Sequence, residues 1–150
     1  MNTVKHLKDS SSQLWQKKPS RFGIKRYIPA MLLASLLGTY LDLYYVGKQL
    51  YHFPIRPLPS IFSIHIGFTL VALPITMIVI LNFLQRCRIW LRILFVLCLS
   101  LLMAVMEKAA ENMGLFVHAE EWNHMNTFAG YCLFIGLIYA FHGWMNRERE

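Results

Sequence analysis

The residues that could do chemistry in this chain are few, and they sit at the ends of long apolar segments. Aspartate, glutamate, lysine and histidine can supply general acid–base catalysis, ion pairing or metal coordination. No motif around them establishes a reaction, so we treat them as one candidate polar cluster. It comprises Asp42, His65, Glu107, Lys108, Glu111, His118, Glu121 and His124.

Three of these residues follow a regular spacing, His118-x-x-Glu121-x-x-His124, with ligand types that suit zinc or another divalent ion. The spacing is not HExxH, and steps of three do not place both histidines squarely on one helical face. Glu120 and His124, four residues apart, could instead form a pair on a helix. We therefore predict no cofactor; a divalent metal at His118, Glu121 and His124 is the alternative to a solvated loop.

Other catalytic and binding motifs are missing from the sequence. No serine or cysteine lies in a nucleophile motif, and no glycine-rich loop follows a strand. Cys87, Cys98 and Cys132 are odd in number and have no CxxC spacing, which argues against a disulfide framework or a cysteine metal site. The sequence leaves enzymatic activity open and favours its absence.

The elements that must position the polar residues are four apolar stretches of roughly 27–46, 61–84, 89–106 and 127–145. Each is close to the length of about 20 residues that a helix needs to cross a bilayer. The charged fraction is only 15%, against roughly 25% in soluble domains. We predict an all-α fold, a transmembrane four-helix bundle at 27–146, between a basic cytoplasmic tail at 1–26 and a short tail at 147–150.

The distribution of positive charge predicts the orientation. Twelve of the fifteen lysines and arginines precede the first span, join the second to the third, or follow the fourth; Lys48, Arg56 and Lys108 are on the other side. This bias predicts that both termini are cytoplasmic, N-in and C-in. Anionic lipid headgroups then account for the net charge of +7, and nucleic acid is not an expected partner.

With this topology, the polar residues meet at the outer end of the bundle. Asp42 lies four residues before the end of the first span, and His65 lies four residues after the start of the second. Each is roughly 6 Å below the outer boundary, at a rise of 1.5 Å per residue. A buried carboxylate needs a partner, and we predict Lys108 for Asp42, with Lys48, Arg56 and His65 as competitors.

Small residues predict how the helices pack. Ala30, Ala34 and Gly38 recur every four residues, and Gly136 and Ala140 form a second such pair; stripes of this kind allow close helix approach. Two further features concern single helices. Pro74 should kink the second span, and the third helix should continue to about Met113, with Gly114 as its stop.

Several stretches carry a resemblance: Gly38–Lys48 followed by Tyr51–Pro57, then Leu101–Lys108, and Gly114–His118 leading to Trp122–His124. In these the chain resembles an uncharacterised family of small four-span integral membrane proteins from endospore-forming Gram-positive bacteria. The resemblance spans about Tyr27–Trp144. It implies a four-helix membrane protein and carries no established activity, substrate or catalytic residues.

Taken together, the sequence predicts a multi-pass protein of the bacterial cytoplasmic membrane, most simply a non-enzymatic interaction or regulatory component. Its expected partners are the lipid bilayer and either a second copy of itself, as a homo-oligomer, or another membrane protein. The alternative is a small membrane-embedded enzyme or ion-binding protein with a polar site at the outer membrane face.

Overall fold

The computed structural model describes residues 23–120 and 122–147, and in these it contains four long helices. Residues 1–22 of the basic tail, Glu121 and the last three residues lie outside the described part. A short 3-10 turn at Ile24–Arg26 precedes the first helix. The helices are α1 (Ile28–Gly47), α2 (Leu73–Arg86, continuing a π-helical turn at Phe68–Ala72), α3 (Ile89–Asn112) and α4 (His124–Asn146).

All four helices are long and apolar enough to cross a membrane, which confirms the predicted fold class. Counting the π-helical turn, they have 20, 19, 24 and 23 residues, and at most 33% of the apolar window in any of them is buried inside the chain. The remaining apolar side chains cover the outside of the bundle. Exposing so much apolar surface to water is strongly unfavourable, whereas hydrocarbon accommodates it.

The helix ends follow local sequence signals. The third helix ends at Asn112, and Gly114 adopts a positive φ of 71° that glycine accommodates without strain. The fourth helix begins at His124, earlier than the predicted span, because the Asn123 side chain accepts a hydrogen bond from the amide of Met125.

The second span departs most from its predicted start, because its helix begins with the π-helical turn at Phe68 and not at Ile61. The intervening residues belong to the connection after α1. Arg56 organises this connection: its guanidinium donates to the carbonyls of Phe53 (2.6 Å) and Phe62 (2.7 Å). His65 therefore lies before the helix, and not one turn inside it.

Pro74 explains why α2 opens with a π-helical turn. The amide of Leu73 donates to the carbonyl of Phe68 in the i→i+5 pattern. In the same pattern the carbonyl of Thr69 would accept from residue 74, but proline has no N–H. The hydroxyl of Ser35 on α1 donates to this carbonyl instead (2.9 Å). A side chain of a neighbouring helix thus replaces the missing backbone donor.

A small sheet joins the two connections at one end of the bundle, and the all-α prediction did not include it. Strand β1 (Tyr51–His52) pairs antiparallel with β2 (Val117–His118), with Tyr51 opposite His118. The amide of Ala119 extends the pairing by donating to the carbonyl of Leu50 (2.9 Å). The sheet places β2, which follows α3, against β1, which follows α1.

The packed interior lies mainly between α1, α2 and α4. It consists of Tyr27, Ala30, Ala34, Met77, Ile80, Leu81, Leu84, Ile135 and Ile138. As predicted, the first small-residue stripe faces this interior: Ala30 and Ala34 are buried, and a Cβ added to Gly38 would overlap the side chain of Leu73.

The second small-residue pair, in contrast, takes no part in packing within the described chain. Gly136 and Ala140 are exposed, and a Cβ on Gly136 would meet nothing within 4 Å. The physical reason is the rotation of α4. Its buried face follows Ile135, Ile138 and His142, which turns the small residues outward.

Candidate functional site

Two carboxyl groups from different helices line the same space at the sheet end of the bundle. Asp42 on α1 and Glu107 on α3 both border two neighbouring cavities, of about 150 and 440 Å³. Aromatic side chains from the helices and both connections form most of the remaining wall. We call this space the acidic pocket; its aromatic lining comprises Tyr45, Tyr51, Phe53, Phe68, Phe116, Trp122, Tyr131 and Phe134.

Asp42 is held by Tyr51. The Tyr51 hydroxyl donates to Oδ1 of Asp42 at 2.6 Å, while Oδ2 is buried and has no hydrogen-bond partner among the described residues. The ring of Tyr51 is fixed by its strand and by contact with Phe116 (centroids 4.8 Å apart). Burial, and then the negative charge of Asp42, raise the pKa of Tyr51, so its hydroxyl stays protonated and can donate.

Glu107 is held by a relay of side chains from the start of α4. The Thr127 hydroxyl donates to Oε1 of Glu107 (2.9 Å), and the indole Nε1 of Trp122 donates to the Thr127 oxygen (3.0 Å). These two bonds connect α3, the segment between α3 and α4, and α4 itself. They also fix the carboxyl group on the wall of the pocket.

His118 lies behind Glu107, in β2. Its Nε2 is 2.7 Å from Oε1 of Glu107, and its Nδ1 is 3.5 Å from Oε1 of Glu111. Only 3% of the His118 side chain is exposed, because its ring stacks on Trp122 with centroids 5.0 Å apart. Burial lowers the pKa of the His118 imidazole and outweighs the Glu111 carboxylate, which acts in the opposite direction.

The predicted ion pair between Asp42 and Lys108 does not form. The Lys108 ammonium instead donates to Oε2 of Glu111 (2.7 Å), three residues later on the same helix. The Lys108 side chain is 54% exposed. The path of the first connection is the physical reason. It brings the Tyr51 hydroxyl to Asp42, whereas Lys108 projects towards the outside of α3.

Of the two other predicted histidines, His65 lines the acidic pocket and His124 does not. His65 lines the larger cavity together with Asp42, and its Nδ1 accepts from the amide of Phe68 (3.1 Å), which caps the π-helical turn. His124 borders a separate groove between α3 and α4, which Lys108 also lines. Of the eight residues predicted as one cluster, Asp42, His65 and Glu107 face the acidic pocket.

The metal hypothesis concerned His118, Glu121 and His124. The rings of the two histidines lie edge to face with centroids 5.5 Å apart, and Glu121 is outside the described residues. Among the residues that the structure does describe, no three His, Cys, Asp or Glu side chains converge as a metal site would require. A divalent metal that includes Glu121 stays a prediction.

Sequence reasoning missed the residues that hold the carboxyl groups. Tyr51 and Thr127 bond to side chains 9 and 20 residues away, and Trp122 acts on Glu107 through Thr127, so no local pattern marks them. A second polar group was also missed, at the opposite end of the bundle, where Tyr27 stacks on His142 (centroids 4.9 Å apart). Here a signal existed: Asn82 with Gln85, and His142 with Asn146, are polar pairs at helical spacing in apolar segments.

The chemistry of the acidic pocket follows from its lining. Carboxyl groups from two helices, one with an oxygen that has no partner among the described residues, favour a positively charged guest. Aromatic faces stabilise cations without competing hydrogen bonds. Among the described residues, no serine or cysteine lines either cavity to serve as a nucleophile. No protein-family model, curated protein or solved structure matches this chain.

Proposed function

We propose that this integral membrane protein is a non-enzymatic binding component of a bacterial cytoplasmic membrane, and that its acidic pocket takes a small organic cation such as a protonated or quaternary amine. The observation that supports this most directly is the buried Oδ2 of Asp42, which has no hydrogen-bond partner among the described residues and belongs to a side chain that lines the pocket. A buried carboxylate oxygen without a donor is costly. A cation in the pocket would remove that cost.

The size and composition of the pocket favour an organic cation over a bare ion. The larger cavity has a volume of about 440 Å³, within the range of small-molecule sites. Its walls are mostly aromatic and aliphatic, whereas magnesium and calcium prefer sites with several oxygen ligands. An amine with an apolar body would place its charge near Asp42 and Glu107 and its body against the rings.

The resemblance to small membrane proteins of endospore-forming bacteria supports the bacterial membrane. The distribution of arginine and lysine supports cytoplasmic termini, with the acidic pocket then at the outer face. The alternative, a small membrane-embedded enzyme, would use Asp42 or Glu107 as general acid or base. The two proposals differ in outcome, because an enzyme would consume its ligand and a binding protein would return it unchanged.

The test measures binding of benzyltrimethylammonium to the detergent-purified protein by equilibrium dialysis. Neopentylbenzene, which has the same shape and no charge, is the comparison probe. We expect the cation to bind and the neutral probe to bind at least tenfold more weakly. Asp42→Asn and Glu107→Gln should each weaken cation binding about tenfold, the magnitude expected for a hydrogen bond or close contact to a charged group.

Glu111→Gln is the matched control. It removes a carboxylate one helical turn from Glu107 on the same helix, but Glu111 lines neither cavity. Cation binding by this variant should equal that of the wild type. Equal binding of the neutral probe, or an equal loss in Glu111→Gln, would contradict the proposal, because either result would mean that the pocket carboxylates do not recognise charge.

A further inference from the structure

A second and larger cavity lies at the opposite end of the bundle, where α1 and α3 begin and α2 and α4 end. It has a volume of about 840 Å³. Four of its lining residues are arginines: Arg26, Arg86, Arg92 and Arg147. None of the described residues that line it is acidic. We call it the arginine cavity.

The floor of the arginine cavity is built from buried polar side chains. His142 and Asn146 are both buried, and His142 stacks on the equally buried Tyr27 with an interplanar angle of 3°. Gln85 contacts His142 from α2. The Asn146 amide donates to the carbonyls of His142 (2.8 Å) and Arg26 (3.3 Å). These contacts join α2, α4, the 3-10 turn and Tyr27, which directly precedes α1, into a preformed floor.

Arg92 is oriented by contacts of its Nε and of its guanidinium face, which leave its terminal nitrogens available to a ligand. The Nε of Arg92 donates to the carbonyl of Cys87 (2.7 Å), and its guanidinium carbon lies 5.6 Å from the centroid of the Tyr139 ring. The Nη2 of Arg86 donates to Oδ1 of Asn82 (3.2 Å). A guanidinium group fixed as that of Arg92 is suited to the bidentate recognition of phosphate oxygens.

The position of the cavity indicates where its ligand comes from. Trp90 and Trp144, at the same end of the bundle, are 81% and 67% exposed, and exposed tryptophans are typical of the headgroup layer. Below this level the helix surfaces are apolar and can contact acyl chains. A cavity of this size can accept a headgroup, and basic pockets between transmembrane helices are suited to anionic headgroups.

We propose that the arginine cavity binds the phosphodiester headgroup of an anionic phospholipid. The phosphate oxygens would take N–H donors from Arg92 and Arg147. The acyl chains would stay outside the bundle, in the bilayer. This site is separate from the acidic pocket, so each proposal can fail without the other.

The test is native mass spectrometry of the detergent-purified protein with phosphatidylglycerol or phosphatidylcholine that carry the same acyl chains. We expect phosphatidylglycerol to be retained about 25-fold more strongly, with a factor of about five from each of Arg92 and Arg147. Arg92→Gln and Arg147→Gln should each weaken its retention about fivefold, since each basic residue contributes about that factor near anionic lipid. The double variant should retain the two lipids equally.

The matched control is Arg88→Gln. Arg88 lies between Arg86 and Arg92 in the sequence, directly before α3, but it does not line the cavity. Its removal lowers the basic charge by the same amount and should leave phosphatidylglycerol retention unchanged. An equal loss in Arg88→Gln would overturn the proposal, because general charge at this end would then explain the preference. Since Arg92 also bonds to the backbone, Arg147→Gln provides the result if Arg92→Gln fails to fold.

A competition arm distinguishes lipid from soluble phosphate. Glycerol 1-phosphate is a soluble phosphate ester of glycerol without acyl chains. We expect millimolar glycerol 1-phosphate to leave phosphatidylglycerol bound. Complete displacement at that concentration would overturn the assignment to lipid and indicate a site for a soluble phosphate ester.

Discussion

At the scale of single residues, two side chains in the segments between helices contact the carboxyl groups of the bundle. Tyr51 donates to Asp42, and His118 lies against Glu107 and Glu111. Tyr51 and His118 are opposite each other in the small sheet. The two connections therefore form one unit that determines what each carboxyl group can bind.

Tyr51→Phe should destabilise the fold by about 1–3 kcal/mol, the usual cost of leaving a buried polar group without its partner. The substitution keeps the ring contacts and removes only the hydroxyl that donates to Asp42. Urea or thermal unfolding in detergent micelles would measure the effect. Tyr40→Phe, which removes a hydroxyl from an exposed side chain, is the control and should be neutral; equal effects of both substitutions would contradict this reading.

His118 predicts a pH dependence of stability. Its pKa is lowered on folding by burial, whereas an unfolded histidine titrates near pH 6.5. As the pH falls below about 6.5, the unfolded chain takes up a proton that the folded chain does not, so the contribution of neutral His118 is lost progressively. We expect the Tm of the wild type to fall more steeply than that of His118→Gln between pH 7 and 5.

His52→Gln is the control for this pH dependence. His52 lies in the partner strand of the same sheet and is exposed. This variant should follow the pH profile of the wild type. Parallel profiles for the wild type and His118→Gln would show that His118 does not titrate differently in the folded chain.

At the scale of helices, the π-helical turn depends on a bond between α1 and α2. Ser35→Ala removes the donor to the Thr69 carbonyl and should cost about 1 kcal/mol. Pro74→Ala supplies a backbone N–H at the position that the i→i+5 pattern requires. The effect of Ser35→Ala should therefore be much smaller in a Pro74→Ala background, as a double-mutant cycle of unfolding free energies would show. Additive effects would contradict this account.

Helix contact also distinguishes two glycines that look alike in the sequence. Gly38→Ala would push a methyl group into Leu73 and should destabilise the bundle by about 1–3 kcal/mol through overpacking. Gly136→Ala meets open space and should cause no loss of stability, with a gain of up to about 1 kcal/mol because alanine favours the helix. Thermal unfolding in detergent compares them; a large loss in Gly136→Ala would mean that this face packs against another copy.

At the scale of the whole molecule, charge is divided between the two ends. The arginine cavity is at one end, and the carboxyl groups of the acidic pocket are at the other. The positive-inside bias predicts that the arginine end is cytoplasmic. A green fluorescent protein fused to either terminus should fluoresce and an alkaline phosphatase fusion should be inactive, whereas active phosphatase at both termini would reverse the orientation and place the acidic pocket inside.

The sequence by itself determined that this chain forms four helices that are long and apolar enough to cross a membrane. Span length and apolar composition are local properties, and a helix satisfies its own backbone hydrogen bonds wherever its neighbours lie. The ends of α1 and α3 could be predicted for the same reason, since Gly114 and the polar connections are local signals. The first small-residue stripe was predicted too, because Ala30, Ala34 and Gly38 share one face of a single helix.

The partners of the polar residues were decided only by the tertiary structure. Lys108 looked suited to Asp42 by depth alone, but the rotation of α3 and the pairing of β1 with β2 brought Tyr51 to Asp42 and left Lys108 with Glu111. Gly136 and Ala140 match the first stripe in spacing, yet the rotation of α4 turned them outward. Rotation about a helix axis and the path of a loop depend on all neighbouring elements together, so residue type and spacing along one segment do not specify them.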